Sequence, residues 1–446
     1  MIRCLKYFFI LFFLPNLLLA QQGFTIQNTR QKTTLDFKWI NNLIIIPVEM
    51  NGVKLNFVLD SGVDGTVLFS LEDAENLEFK ELAKIKIRGI GNKEAIDAFW
   101  SKHNEMRIGD YVDLNHSIYL VLDQEINIST SIGVPIHGII GYDFFKNYSI
   151  RINYVKQTIS IAKDIQKLRR RKEQFQAIPL SLIQNKPYMN IQVQFGNTKA
   201  SAFQLLDTGN TDAAWFFQET FPNIKCLSEQ HIVDYLGKGM SGDIYGKRGR
   251  LQAVSIGDFE VKRPIVSFPD STYVRLLLGI EKRNGSIGNE VLKRFHMIWD
   301  YPNQRVLMRP NSLFATPFQY NMSGIEIQHQ GMQWIAEEYD EDLKKSINSQ
   351  NQFNNSGQRV STNIKVNFEL KPIYYVMSVR TDSPAAQQGI KSGDRLLKVE
   401  GKECQNMTLD QINSLFKMQD GKSIDLELER SGKPYRVTLV LKDLLP

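Results

Sequence analysis

The sequence predicts a mainly β protein: two similar β-rich lobes followed by a third, smaller β domain. Three observations carry that expectation. The first part of the chain, up to Pro310, repeats itself at a constant offset of 147 residues. Each copy consists of short alternating strand-like runs separated by glycine-containing turns, the pattern of β-hairpins. After Pro310 the composition shifts, and fresh strand- and helix-periodic segments appear beyond a polar stretch.

The repeat is legible in two blocks. Lys54 to Gly62 (KLNFVLDSG) and Ala200 to Gly209 (ASAFQLLDTG) are both alternating runs that end in Asp-Ser/Thr-Gly. Gly138 to Tyr154 aligns with Gly285 to Tyr301, matching Gly138 with Gly285, Gly141 with Gly288, Lys146 with Lys293 and Tyr154 with Tyr301. Each second block is followed by another short strand, Thr158 to Ile161 and Arg305 to Met308, and opens with one short helix, near 142–147 and 289–294. The middles are less alike but share a plan. Arg88-Gly89-Ile90-Gly91 precedes a strand ending at Gly109, and Gly237 to Gly242 precedes a strand ending at Gly257. Two all-β lobes over about 24–162 and 179–312 follow, joined by the charged, glycine-poor segment 163–178.

The 446 residues are 42% hydrophobic and 23% charged, an ordinary globular composition with enough apolar material for several cores. Arg3 and Lys6 precede the apolar run Tyr7–Leu19, and Ala20 precedes Gln21-Gln22, the order of a signal peptide cleaved after Ala20. A retained N-terminal anchor is the other reading, for which the run is short. Export to a periplasmic or extracellular location is therefore expected. Removing Arg3 and Lys6 lowers the formal charge of +6 by two, a mild balance. The densest basic cluster, Arg169 to Lys172, has no interleaved aromatics. It reads as a solvated linker before a processing site or a nucleic-acid surface, and no nucleic-acid partner is expected. Cys226 and Cys404 fall in different expected domains, which argues against a disulfide. The six histidines are scattered and form no metal-ligand pair, so neither metal nor cofactor is expected.

One Asp-Ser/Thr-Gly is an ordinary turn sequence. Two copies at equivalent places of a repeat, each ending an apolar strand, point to chemistry. Amide hydrolysis needs an activated water and a proton for the departing nitrogen. Two carboxyl groups sharing one site cannot both ionise easily, so one stays protonated while the other is charged. Asp60 and Asp207 would thus supply general acid and general base at one spot and titrate as a unit. The glycines after them let backbone donors approach the carboxylates.

Over residues 40–310 the sequence resembles the pepsin/retropepsin-like aspartic proteases. That resemblance implies a bilobal, acid-protease-like double β-barrel and catalytic roles for Asp60 and Asp207 within Asp60-Ser61-Gly62 and Asp207-Thr208-Gly209. It implies cross-lobe hydrogen bonds from Ser61 and Thr208, and bracing of the catalytic turns by the segments ending at Gly141 and Gly288. It also implies a flap near Gly89 and Gly91, with a comparable loop at Gly237–Gly242. Retroviral members assemble the pair from two chains. Here both halves lie in one chain, so a monomer suffices. Departures are Val63 and Asn210, where many members carry Ser or Thr, and Ser286, where an apolar residue is usual. Val63 cannot donate to the carboxylate; Asn210 can. Asp64 matches a retroviral Asp and is expected to be structural, with contact to substrate backbone as the other role. Phe99, Trp100 and Tyr245 are candidates for the flap aromatic, with core packing expected for each.

Further on, Ser383-Pro384-Ala385-Ala386, Gly389-Ile390 and Gly393-Asp394-Arg395-Leu396 resemble bacterial PDZ domains over about 365–442. Pro384 should start a short helix, Gly389 end it, and Gly393-Asp394 turn into a strand. Leu409 to Met418 reads as a helix. Such domains bind peptide C-termini by strand addition. Ser323 to Ile327 is either the start of this domain or a strand closing the preceding unit. The expected organisation is signal peptide 1–20, first lobe 21–162, linker 163–178, second lobe 179–312, and PDZ domain 313–446 with a polar insertion at 341–363. The expected function is an aspartic-type endopeptidase acting on polypeptide substrates, with a PDZ domain recruiting peptides or proteins. A non-catalytic peptide-binding or chaperone-like protein is the rival reading.

Overall fold

The computed structural model describes residues 23–71, 77–87, 96–121, 128–221, 224, 231–239, 242–274, 283–338 and 366–445. Segment 1–22, the flap glycines Gly89 and Gly91, Cys226 and the insertion 341–363 lie outside the described residues. Among the described residues strands dominate, and every helix is short.

Each half of the repeat builds one curved sheet around the strand that leads to its Asp. In the first half, Val53–Leu59 pairs with Leu43–Met50 on one side and, in parallel, with Gly138–Ile140 on the other. Continuing round, Thr66–Leu68, Tyr111–Leu120 and Ile96–Ile108 pair in turn. Ile96–Ile108 pairs back with Leu43–Met50, closing a barrel. In the second half, Thr198–Leu206 pairs with Lys186–Phe195 and, in parallel, with Gly285–Ile287. This sheet continues to the hairpin His231–Gly239/Gly242–Arg250, and its two ends do not pair among the described residues. Alternation explains much of the packing: Leu55, Phe57 and Leu59 are buried on one face, and Ala202, Gln204 and Leu206 on one face of the matching strand. Val58 and Leu205, on the opposite faces, are buried as well.

The lobes are not joined by a plain linker. Gln176–Pro179, at the end of the expected connection, is a strand. It belongs to a six-stranded sheet with Arg305–Pro310, Phe295–Asp300, Ser149–Asn153, Thr158–Ala162 and Lys32–Asp36. Strands from both copies pair directly there, with Ile150 opposite Trp299. Glu173, within the expected linker, receives a bidentate bond from Arg151 at 2.8 and 2.9 Å and lies 3.4 Å from Arg309. Burial opposes the charge on Glu173, but these partners outweigh it and bring its pKa down to about 2. The linker reading missed this sheet because a strand that pairs only with a distant edge leaves no local signature.

The third unit is a sheet of Ile325–Glu338, Val366–Val379, Arg395–Val399, Ser423–Arg430 and Lys433–Val440. Ser383 caps the helix Pro384–Gln387, and Gly389 has φ +74° just beyond it. Helix Leu409–Leu415 starts with a complete capping box on Thr408 and Gln411. Ile325–Glu338 is the edge strand of this sheet, so Ser323 to Ile327 opens the third unit rather than closing the second lobe.

Candidate active site

The two catalytic-type turns face each other across the lobe boundary. Asp60 and Asp207 follow their strands directly, and each backbone N–H donates to a carbonyl of the bracing strand: Asp60 to Ile140 and Asp207 to Ile287, both 2.9 Å. Gly62 N–H donates to Asp60 Oδ1 at 2.7 Å and Gly209 N–H to Asp207 Oδ1 at 3.0 Å. Ser61 and Thr208 are fully buried and lock the lobes together reciprocally. Ser61 N–H donates to Thr208 Oγ1 at 2.9 Å, and Thr208 N–H to Ser61 Oγ at 3.0 Å. Their hydroxyls donate onward to Leu206 O at 2.7 Å and Leu59 O at 2.8 Å. With every polar atom satisfied, the turns have no slack.

Glycine is required at four places because backbone or carboxylate is already there. A Cβ on Gly62 would lie 2.9 Å from Asp207 Oδ1, and one on Gly209 would collide with the Asp60 carboxylate. A Cβ on Gly141 would enter the Val63 carbonyl, and one on Gly288 the Asp212 and Asn210 carbonyls. The catalytic-type turns are thus crowded from two sides, by the opposite lobe's carboxylate and by the bracing glycine of their own lobe.

Both carboxyl groups are half-buried in the cleft and converge at one spot: a Cβ placed on Gly62 would meet Asp207 Oδ1 at 2.9 Å and Asp60 Oδ1 at 3.1 Å. Burial, then the Asp207 charge, pushes Asp60 well above the ordinary carboxyl value. Burial also raises Asp207, but the Arg283 guanidinium and the hydrogen bond from Asp60 pull against it. Both groups are raised, Asp60 further than Asp207, and like-charge repulsion makes the pair titrate as a unit. Arg283 is buried, its own pKa lowered by that burial, and its Nε donates to Gly285 O at 3.1 Å. Lys186 lines the same cleft and lowers both carboxyl pKa values.

The departures noted in the sequence pair with one another. Asn210 does not reach the carboxylate. Its Nδ2 donates to Ser286 Oγ at 2.9 Å, and its Oδ1 accepts from Asp212 N–H at 2.9 Å. The corresponding residues of the first lobe, Val63 and Ile139, pack in its apolar cluster. Asp64 is exposed on the cleft wall, without a hydrogen bond among the described residues, so the structural role expected for it is not what the fold provides. Phe99 packs against the core as expected. Trp100 and Tyr245 do not: both line the cleft, Trp100 under Lys102 and Tyr245 against Tyr235.

The cleft is a single cavity of about 1820 Å³. That exceeds the few hundred to roughly 1,000 Å³ typical of small-molecule sites and suits an extended polymer. It runs from the aspartates past the hairpin His231–Arg250 to the third unit, reaching Asn321, Gly324–Glu326, Arg380 and Lys417. The third unit touches both lobes. Helix Ser129–Ile132 of the first lobe packs on the edge strand Ile325–Glu338, and Gly133 abuts Leu409. Arg380 reaches Asp234 of the second lobe at 3.6 Å. Asp234 in turn joins Arg248, which is also held by Asp212 and Ser267.

Residues 46–144 match the family model described as aspartyl protease, and residues 375–430 match a PDZ domain model. The first match takes in the Asp60 turn and its bracing strand, and the second most of the third unit. The aspartyl protease match stops within the first lobe; the second enters through the repeat and the shared geometry. The retrovirus-related Pol polyprotein from transposon 412 of Drosophila melanogaster is 30% identical over 131 residues, 29% of this chain. The chain spans about a tenth of that protein's length, at 10%. The aspartic proteinase from Irpex lacteus is a solved structure with 12% identity and a TM-score of 0.42. That alignment covers 64% of this chain and 99% of the other.

Sequence reasoning missed Arg283, Lys186 and the merging of the PDZ domain with the protease cleft. Arg283 had a faint signal. It stands two residues before Gly285, where the first copy has Ile136 before Gly138. An apolar residue becomes a cation just ahead of the best-aligned block.

Proposed function

We propose that this protein is an aspartic-type endopeptidase that hydrolyses peptide bonds with a water activated between Asp60 and Asp207. The observation that carries this reading is the convergence of the two carboxyl groups, one from each lobe, on turns held by matching hydrogen bonds. Asp207 is the charged partner and takes a proton from the attacking water. Asp60 is the protonated partner and donates to the carbonyl oxygen as the tetrahedral species forms. No covalent enzyme intermediate is required. Both carboxyls come from one chain, so a monomer contains the whole device. The cleft size supports polypeptide substrates, and the PDZ domain at its end supports a role in holding them. Export belongs to the same proposal and rests on residues 1–20 alone.

The binding-only rival drew on Val63 and Ser286. Each has a complementary neighbour in its own lobe, which removes the suggestion of decay. A binder also gains nothing from two like charges buried together. Digestion of a peptide library from pH 3 to 7 tests the proposal. The wild-type protein should cleave and Asp207→Asn, still folded by circular dichroism, should lose at least ~10³-fold in rate. Equal cleavage by both proteins would remove Asp207 from the mechanism.

A further inference from the structure

We infer that Arg380 forms a carboxylate-binding subsite in the cleft, seating a carboxylate of the same polypeptide that the Asp60–Asp207 pair cuts. The inference rests on the peptidase reading and specifies its substrate class. Arg380 follows the strand Val366–Val379 and lines the cavity that holds the aspartates. Its side chain is 6% exposed. Nη1 is occupied: it donates to Asn321 O at 3.3 Å and faces Asp234 Oδ1 at 3.6 Å. Nε and Nη2 are buried and have no hydrogen-bond partner among the described residues. A guanidinium stays charged, and leaving two of its donors dry is costly unless a ligand completes them. Nε and Nη2 lie side by side, and their two parallel N–H bonds match the two oxygens of one carboxylate.

The surroundings favour an anion at this place. Asp234 is shared with Arg248, which Asp212 also neutralises, so the local acids are already matched by the two arginines. Lys417, which lines the same cavity and acts on Glu326, adds a positive charge. Glu326 is the remaining acid. Burial, then Asp234, pushes its pKa up to about 7, so below neutrality it is largely uncharged.

The backbone of the adjoining loop is not free to do this work. Asn321 Oδ1 accepts from the N–H groups of Ser323 at 3.1 Å and Gly324 at 3.2 Å. Ser323 Oγ accepts from Ile325 N–H at 3.1 Å. Those amides are already used, and the unpartnered donors at this place are Nε and Nη2 of Arg380. Because subsite and aspartates share one cavity, the cut falls at a restricted spacing from the bound carboxylate.

The carboxylate can be a chain terminus or an Asp or Glu side chain, and affinity selection on immobilised Asp207→Asn protein separates the two. Three randomised decapeptide pools serve as probes. One has free C-termini but no Asp or Glu, one is amidated with Asp and Glu, and one is amidated without them. The inactive variant makes the binding result independent of turnover. At least one carboxylate-bearing pool should be retained about 10-fold over the carboxylate-free pool, and which one identifies the source. Arg380→Met should bring retention to parity. Arg380→Lys, which keeps the charge but not the fork, should keep only part of the preference. Lys417→Met should weaken the preference without erasing it, and with Arg380→Lys it decides the matter if Arg380→Met does not fold. Equal retention of all three pools, retention of none, or an undiminished preference in the Arg380 variants overturns the subsite.

Discussion

The two lobes share one scaffold and differ in what they place around it. Asn56 N–H donates to the His137 ring, and at the same place in the second lobe Phe203 N–H donates to the Asn284 side chain. The bond is kept while the residue changes. Around the aspartates the substitutions go one way: Val63, Ile139 and Ile136 in the first lobe become Asn210, Ser286 and Arg283 in the second. The first lobe is a closed barrel with an apolar wall behind Asp60. The second is, among the described residues, an open sheet with a hydrogen-bonded wall and a buried cation near Asp207. Duplication supplies symmetry enough to bring two carboxyls together, and divergence makes them unequal. Like-charge repulsion alone disfavours charging both groups; the inequality raises Asp60 further than Asp207.

The glycines that brace the two turns test the shared part of this comparison and should show the largest effect on stability. Gly141→Ala and Gly288→Ala each drive a methyl into fixed carbonyls. Each should cost about 3 kcal/mol or more in urea unfolding. Tolerance of either would show that the brace is looser than the geometry implies.

The divergent walls come next. Asn210→Val strands Ser286, and Ser286→Ile strands Asn210. Each single change should cost roughly 1–3 kcal/mol, and the double change, which copies the first-lobe chemistry, should recover much of the loss. A double-mutant cycle with additive energies would sever the link between these two positions.

The protons of the pair give a smaller, pH-dependent effect. Both carboxyls are raised above the ordinary value of 3.8, so the folded protein keeps protons that the unfolded chain has already released. The stability linked to them is present below that value and is lost as pH rises through the raised folded values. Asp60→Asn should therefore be more stable than wild type at pH 7 and show no such gain at pH 3. Urea melts at the two pH values check the sign.

The subtlest expectation concerns Arg283. It opposes the burial that raises Asp207, so Arg283→Met should move the acidic limb of the kcat/KM profile to higher pH. An unmoved limb, with activity retained, would leave the asymmetry of the pair without its cation.

Much of the site was legible because its determinants are local. Asp60-Ser61-Gly62 and Asp207-Thr208-Gly209 each end an alternating apolar strand, and the bracing glycines recur at the same offset. What was not legible depends on distant partners. The strand Gln176–Pro179 is recognisable only beside Arg305–Pro310. Asn210 looked like a donor to the carboxylate until Ser286 was found next to it. Trp100 and Tyr245 look like core residues by composition, and only the path of the cleft turns them outward.

Local chemistry thus accounts for the two turns, their glycines, the strands that carry them and the capped helices of the PDZ domain. Backbone conformation and alternation act over a few residues and can be read from them. The shared six-stranded sheet, the Arg283 guanidinium beside Asp207 and the cleft that runs on to Arg380 are matters of tertiary assembly. Each depends on charges, edges or surfaces that are far apart in the chain. Their energies exist only once folding has brought them within a few ångströms of each other in a site that excludes water.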